Sequence, residues 1–179
     1  MKKHYVLALL VSLFFFARSQ QGYDIKFNFK DCPDTTVYLA RYFWEQVPIS
    51  DSAVNIKNGK IRFKGDYPLD KGVYILANQN RSNFYVQFLV DEDQDFTINI
   101  DNDDIVNSQK SDDKLNDQFF SYVRFMTNKN RELQDYMNKA KGKSKEDSTK
   151  YVNEKGSMLN EQIQKFESDF MAKNKGNFV

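Results

Sequence analysis

The stretch Val54-Asn55-Ile56-Lys57-Asn58-Gly59-Lys60-Ile61-Arg62-Phe63 carries the most compact structural instruction in the chain. Asn-Gly suits a two-residue type I′ turn, because both central residues of that turn need positive φ. With Asn58-Gly59 as the loop, Lys57 faces Lys60, Ile56 faces Ile61 and Val54 faces Phe63. The apolar residues then share one face, so turn chemistry and binary pattern predict the same register. Upstream, Tyr23, Ile25, Phe27 and Phe29 alternate with Asp24, Lys26, Asn28 and Lys30, the pattern of a strand with one wet face. Asp31-Cys32-Pro33-Asp34 reads as a turn, and Thr35 to Trp44 as a second, β-branched and aromatic strand. Downstream, Gly72 to Ala77 (GVYILA) is short and nearly all apolar. Phe84, Val86, Phe88 and Val90 alternate in the next strand, and Phe96, Ile98 and Ile100 in the last. Seven short strands separated by turn residues predict an antiparallel β-sandwich or open barrel over residues 20–104.

Near residue 105 the apolar period changes from 2 to 3.6. Leu115, Phe119, Tyr122, Met126, Leu133, Met137 and Ala140 form one helical stripe. Ser111 is the predicted N-cap, with Asp112 and Asp113 at the positive end of the helix dipole. Lys141 to Ser148 (KGKSKEDS) is a polar connection. A second helix carries Val152, Leu159, Ile163, Phe166 and Phe170 on one face, with Gly176 as its stop. The expected class is therefore α+β, with an αα-hairpin over 105–179 following the β domain. Its stripes exceed what two helices cover mutually, so the hairpin is expected to lie on the β domain, on further helices, on another chain or on a missing domain. The chain is expected to be part of a longer one.

Composition narrows the chemistry further. The 179 residues carry 26 basic and 25 acidic side chains, a net charge of +1 that favours neither nucleic acid nor a solvating tail. Sixteen Phe and ten Tyr call for a packed core. There is one His, His4, and one Cys, Cys32. Lys2 and Lys3, the apolar run Tyr5 to Phe16 and the small residues Ala17 and Ser19 have the three-part layout of a secretory signal peptide over 1–19. Twelve helical residues reach about 18 Å, well short of a ~30 Å hydrocarbon core. Removal of that segment takes His4 with it, leaving no Ser-His-Asp, Cys-His or His-zinc chemistry and no internal disulfide.

Each remaining constellation has a bland reading that outweighs the chemical one. Asp91-Glu92-Asp93-Gln94-Asp95 places carboxylates as a calcium loop does, but Phe96 stands where the turn glycine belongs and Asn102 where a bidentate Glu belongs. Asp101, Asp103 and Asp104 form a second acidic group, also read as solvated. Cys32 is read as a small buried residue rather than a nucleophile. Trp44 with Tyr38 and Tyr42 can form an aromatic platform for sugar or peptide, yet core or edge packing is the expected role. Lys139, Lys141, Lys143 and Lys145 read as a solvated loop. No residue is assigned a catalytic, cofactor-binding or metal-binding role, and no cofactor is implied.

Several stretches nevertheless resemble a known group. Gly22-Tyr23-Asp24-Ile25-Lys26-Phe27, Thr36-Val37-Tyr38-Leu39-Ala40, Asp51-Ser52-Ala53, Asn58 to Gly65, Gly72-Val73-Tyr74-Ile75-Leu76 and Leu115 to Tyr122 follow the order of features in the N-terminal half of exported TlpA/ResA-like thioredoxin-fold thiol–disulfide oxidoreductases of Bacteroidota. In that group a signal peptide precedes a small β domain, a helical segment and a thioredoxin fold. The Cys-x-x-Cys motif is absent here, so none of the group's catalytic residues has a matching position. The resemblance implies a non-catalytic accessory module of a periplasmic thiol–disulfide interchange protein, for positioning, partner binding or dimerisation. The alternative is a free-standing exported module that grips a polypeptide or envelope partner. Both imply a soluble periplasmic protein with a protein partner, a missing thioredoxin-like domain or a second copy, and neither implies nucleic acid or membrane insertion. The intact mass of exported material is expected to correspond to a chain starting at Gln20; retention of residues 1–19 would replace the soluble assignment with an anchor.

Overall fold

The computed structural model describes residues 22–43 and 46–174; the expected signal segment, Trp44 and Gly176 lie outside the described residues. Eight strands form two four-stranded sheets, followed by two long helices. The strands are β1 (Tyr23–Lys30), β2 (Thr36–Arg41), β3 (Ile49–Val54), β4 (Lys60–Gly65), β5 (Gly72–Ala77), β6 (Phe84–Val90), β7 (Asp95–Asp101) and β8 (Lys110–Ser111). A 3-10 turn at Asn102–Asp104 and the short helix α1 (Ile105–Ser108) lead to β8, then α2 (Lys114–Ala140) and α3 (Lys145–Lys173). One sheet runs β4-β1-β7-β8 and the other β3-β2-β5-β6, so the fold is α+β with an open sandwich that does not close into a barrel.

Period-2 alternation decides which side chains meet between the sheets. Ile25, Phe27 and Phe29 of β1, Ile61 and Phe63 of β4, and Phe96, Ile98 and Ile100 of β7 point inward from the first sheet. Val37 and Leu39, Tyr74 and Leu76, and Val86, Phe88 and Val90 meet them from the second. Phe88 stands edge-on to Phe27 at 5.5 Å and to Phe96 at 6.1 Å, tying the two sheets with geometry favoured by ring quadrupoles. Each such ring removed from water contributes about 1.5–3 kcal/mol.

The Asn58-Gly59 turn forms as the sequence predicts, with φ of 53° and 64°. The extended hairpin does not. Only Lys57 and Lys60 pair across it, and β4 pairs with β1 instead, Phe63 against Ile25 and Ile61 against Phe27. Val54 is 62% exposed and pairs with Thr36 at the end of the β2–β3 ladder. The reason lies at Asn55, whose φ of 56° bends the chain out of one sheet and into the other before the turn begins. The strand before the turn is accordingly Ile49–Val54, an edge strand, rather than Val54–Lys57. The sheets are also not wholly antiparallel: β1 and β7 run parallel, Phe27 beside Ile98.

The helical pair is rooted by one residue with unusual bonding. Asn116 is 1% exposed, and its carboxamide accepts from the Leu89 N–H at 2.7 Å and donates to the Leu89 carbonyl at 2.9 Å. It thus supplies both bonds that a further strand would make to edge strand β6. Phe120, fully buried, follows one turn later and enters the inter-sheet core. The helix cap is Asp113, which accepts from the Asn116 N–H; Ser111, the predicted cap, sits in β8 and accepts from the Asp113 N–H. Beyond that root α2 packs mainly on α3, where Phe125 stacks on Phe166 at 3.9 Å and Tyr122 meets Phe170 at 5.2 Å. The stripes face one another, half-buried, with Met137, Met158 and Met171 exposed.

Gly59 is the tightest point of the turn: an added Cβ would lie 1.7 Å from the Phe29 carbonyl oxygen, while φ is +64°. Gly59→Val is expected to cost about 3 kcal/mol of stability, read as a lowered urea midpoint; an unchanged midpoint would contradict this turn geometry.

Candidate functional site

The outward faces of the two sheets differ in kind. On the first sheet, side chains form a polar ladder across the strands. Arg62 of β4 donates to Asp24 of β1, Lys26 of β1 to Asp95 of β7 at 2.6 Å, and Lys30 to Asp101 at 2.7 Å. Lys60, Asn28 and Asn99 continue it in register. The Arg62 guanidinium holds the Asp24 carboxyl below the usual carboxylate range, and Lys30 does the same for Asp101. The charges of this face are paired with one another across the strands.

The outward face of the second sheet carries an apolar patch, with Ser52 beside Tyr38 and Gln87 beside Ile75 as its polar members. Ala40 of β2 and Ile75 and Ala77 of β5 form a small cluster of their own, with Tyr38 packed beside it. Around them Tyr42, Val47, Ile49 and Phe84 are each 43–52% exposed. They enclose a cavity of about 260 Å³ floored by Ala40, Ile75 and Ala77. Arg81 stands at its rim with its guanidinium 5.8 Å from the Tyr38 ring centre. A larger opening of about 510 Å³ lies at the end of the sandwich near Cys32, but its ammonium groups are committed, Lys30 to Asp101 and Lys60 to Asn28. The sandwich thus carries a charged outer face on one sheet and an exposed apolar patch on the outer face of the other.

The residues weighed from sequence fall into place unevenly. Tyr38 packs, partly buried, on the Ala40, Ile75 and Ala77 cluster, the edge-packing role expected of it, whereas Tyr42 is 52% exposed at the cavity; both lie on this outer face. The acidic run does not form a calcium loop: Lys71 binds Asp91 and Glu92, Asp93 accepts from the Asp95 N–H, and Gln94 turns inward to bond the Leu69 backbone in both senses. Asp31, Asp101 and Asp103 come together, but the Lys30 ammonium lies 2.7–3.9 Å from all three and supplies the positive charge there. Asp104 caps α1. Lys139, Lys141, Lys143 and Lys145 surround the exposed helical turn, with Lys143 over the Tyr151 ring. Val47, Ile49 and Arg81 carry no pattern signal, and Phe84, whose alternation with Val86, Phe88 and Val90 assigns it to their face, is instead 48% exposed on the outer face; the β2–β3 connection and the segment from Asn78 to Phe84 bring these residues together. The one available signal was GVYILA, a strand apolar on both faces, which a half-wet sheet does not need.

Cys32 is half-buried, its thiol donating to the Asp34 carbonyl at 3.5 Å, and burial pushes its pKa up. The thiolate is the nucleophile, so a raised pKa slows attack at neutral pH. Alkylation of native Cys32 by iodoacetamide at pH 8 is expected to run slower than that of the urea-unfolded chain and to accelerate as pH rises; equal rates in the two states would contradict the buried thiol.

Comparison with known proteins gives one result at the level of family. No curated protein and no solved structure matches the chain. A family model described as "Domain of unknown function (DUF4369)" matches residues 23–119, from the first residue of β1 through the root of α2. That span holds both sheets, the apolar outer face and the Asn116–Phe120 anchor up to Phe119. The chain belongs to the DUF4369 family.

Proposed function

We propose that the chain is a non-catalytic binding module that docks a polypeptide partner on the outward face of the β3-β2-β5-β6 sheet. The observation that carries the reading is the contrast between the two outer faces of one molecule: a self-paired polar ladder on one, an unpaired apolar surface with a cavity on the other. Size supports a polypeptide over a small molecule. The cavity of about 260 Å³ is below the roughly 300–1,000 Å³ of drug-sized ligand sites, and it fits an anchoring side chain. The high pKa of Cys32 and the absence of a second cysteine support a non-catalytic role.

In its finer form the proposal makes the chain the N-terminal accessory module of a periplasmic thiol–disulfide interchange protein, as the resemblance to exported TlpA/ResA-like proteins implies. The long helical pair, rooted on the sandwich at Asn116 and Phe120 and otherwise packed on itself, supports a positioning role of that kind. A free-standing exported module using the same sheet face is the second reading, and it is favoured by the self-contained core.

A photo-crosslinking amino acid placed at Phe84 is expected to give a covalent adduct with a partner protein in the native organism, whereas the same residue at Thr97, on the polar sheet, gives none. Equal adducts from both positions, or none from Phe84, would overturn the proposed face.

A further inference from the structure

Arg81 is placed with more care than a surface arginine requires. It takes a left-handed backbone, φ 55°, which costs a non-glycine residue free energy. The turn that holds it is built by Asn78. The Asn78 side-chain oxygen accepts from the N–H groups of Ser82 and Asn83 at 3.0 and 3.2 Å, and its carbonyl accepts from the Arg81 N–H at 2.9 Å. The Asn78 N–H closes the loop on the Asn83 carbonyl at 3.1 Å. Tyr38 then supports the guanidinium from below.

The result is a fixed cation at the edge of an apolar cavity. Among the described residues Arg81 is the only charged side chain lining that cavity, and it has no ion-pair partner. The neighbouring Arg41 differs: its guanidinium is occupied by Asp70 at 2.8 Å and by the Lys71 carbonyl at 2.9 Å. A guanidinium presents a planar fork of donors that matches a carboxylate, and among the described residues no carboxylate engages the fork of Arg81.

We infer that the occupant of this face is a polypeptide segment carrying an apolar side chain next to a carboxylate, the apolar group entering the cavity and the carboxylate meeting Arg81. The inference rests on the binding-module reading above and adds the chemistry of the partner. Charge complementarity selects this occupant: a basic segment would set like charges together at Arg81, and a neutral one would leave the guanidinium unpaired beside the buried contact.

The test uses the full mature chain and fluorescein-labelled decapeptides alternating Phe with Glu, with matched peptides carrying Gln or Lys in place of Glu, followed by fluorescence anisotropy. The Glu peptide is expected to bind about two- to fivefold more tightly than the Gln peptide, and the Lys peptide most weakly, the range that an exposed ion pair supplies. Arg81→Gln is expected to erase that order without changing the urea midpoint, and Arg81→Lys to restore part of it. Binding of all three peptides with equal affinity would overturn the Arg81 inference while leaving the apolar face as an interface. An order that persists in Arg81→Gln would overturn it as well, and so would failure of every peptide to bind. Crosslinking from Phe84 reports on the face itself, so the two readings fail separately.

Discussion

The edge-on contact of Phe88 with Phe27 and Phe96 is the joint on which the molecule depends, because it locks β6 of one sheet to β1 and β7 of the other. A strand has two faces and side chains alternate between them. Once the inward face of each strand is spent on that core, everything else about the protein is decided by what the outward face carries. On the β4-β1-β7-β8 sheet it carries Asp24, Lys26, Lys30, Arg62, Asp95 and Asp101, whose charges answer one another across the register. On the β3-β2-β5-β6 sheet it carries Tyr38, Ala40, Ile75 and Ala77, which pack on one another with Arg81 over the Tyr38 ring.

Open sandwiches have edges, and this one manages them by different means. The β3–β4 connection joins the sheets on one side, the bend at Asn55 carrying the chain between them. On the other side α2 lies between β6 and β8, and the Asn116 carboxamide imitates a strand's donor and acceptor for Leu89. Covering an edge with a helix blocks strand addition there. That device also fixes where the helical pair leaves the sandwich, so an element needed for edge protection doubles as the mount for two long helices.

Much of this architecture was legible from residues. The alternation in β1, β6 and β7 identified the inward residues except Phe84, which an irregularity in the β5–β6 register opposite Ala77 leaves on the outer face, and Asn58-Gly59 identified the turn. The α2 and α3 stripes followed from their 3.6 period. Other features left no local trace. Edge strand β3, Ile49-Ser50-Asp51-Ser52-Ala53-Val54, lacks a clean apolar alternation because it has little core to face. The Asn58-Gly59 pattern pointed to a long hairpin because Val54 and Ile56 fit that face equally well; the left-handed Asn55 that diverts the chain gives no pattern signal. Parallel pairing of β1 with β7 joins residues some seventy positions apart, beyond the reach of periodicity. The candidate site was the least legible part. Its rim comes from the β2–β3 connection and the Asn78–Asn83 turn, and only the fold brings Ile49, Arg81 and Phe84 to one cavity.

The central claim is that the apolar patch on the outward face of the second sheet serves a partner and contributes little to the chain's own stability. A hydrophobic dye and urea unfolding, applied to the same samples of the wild-type chain and an Ile49→Glu, Phe84→Glu double variant, test it directly. The account predicts a severalfold fall in dye fluorescence with an unfolding midpoint close to wild type. Unchanged dye binding together with a midpoint lowered as far as by Phe88→Ala would show those residues to be part of the core, and would contradict the account.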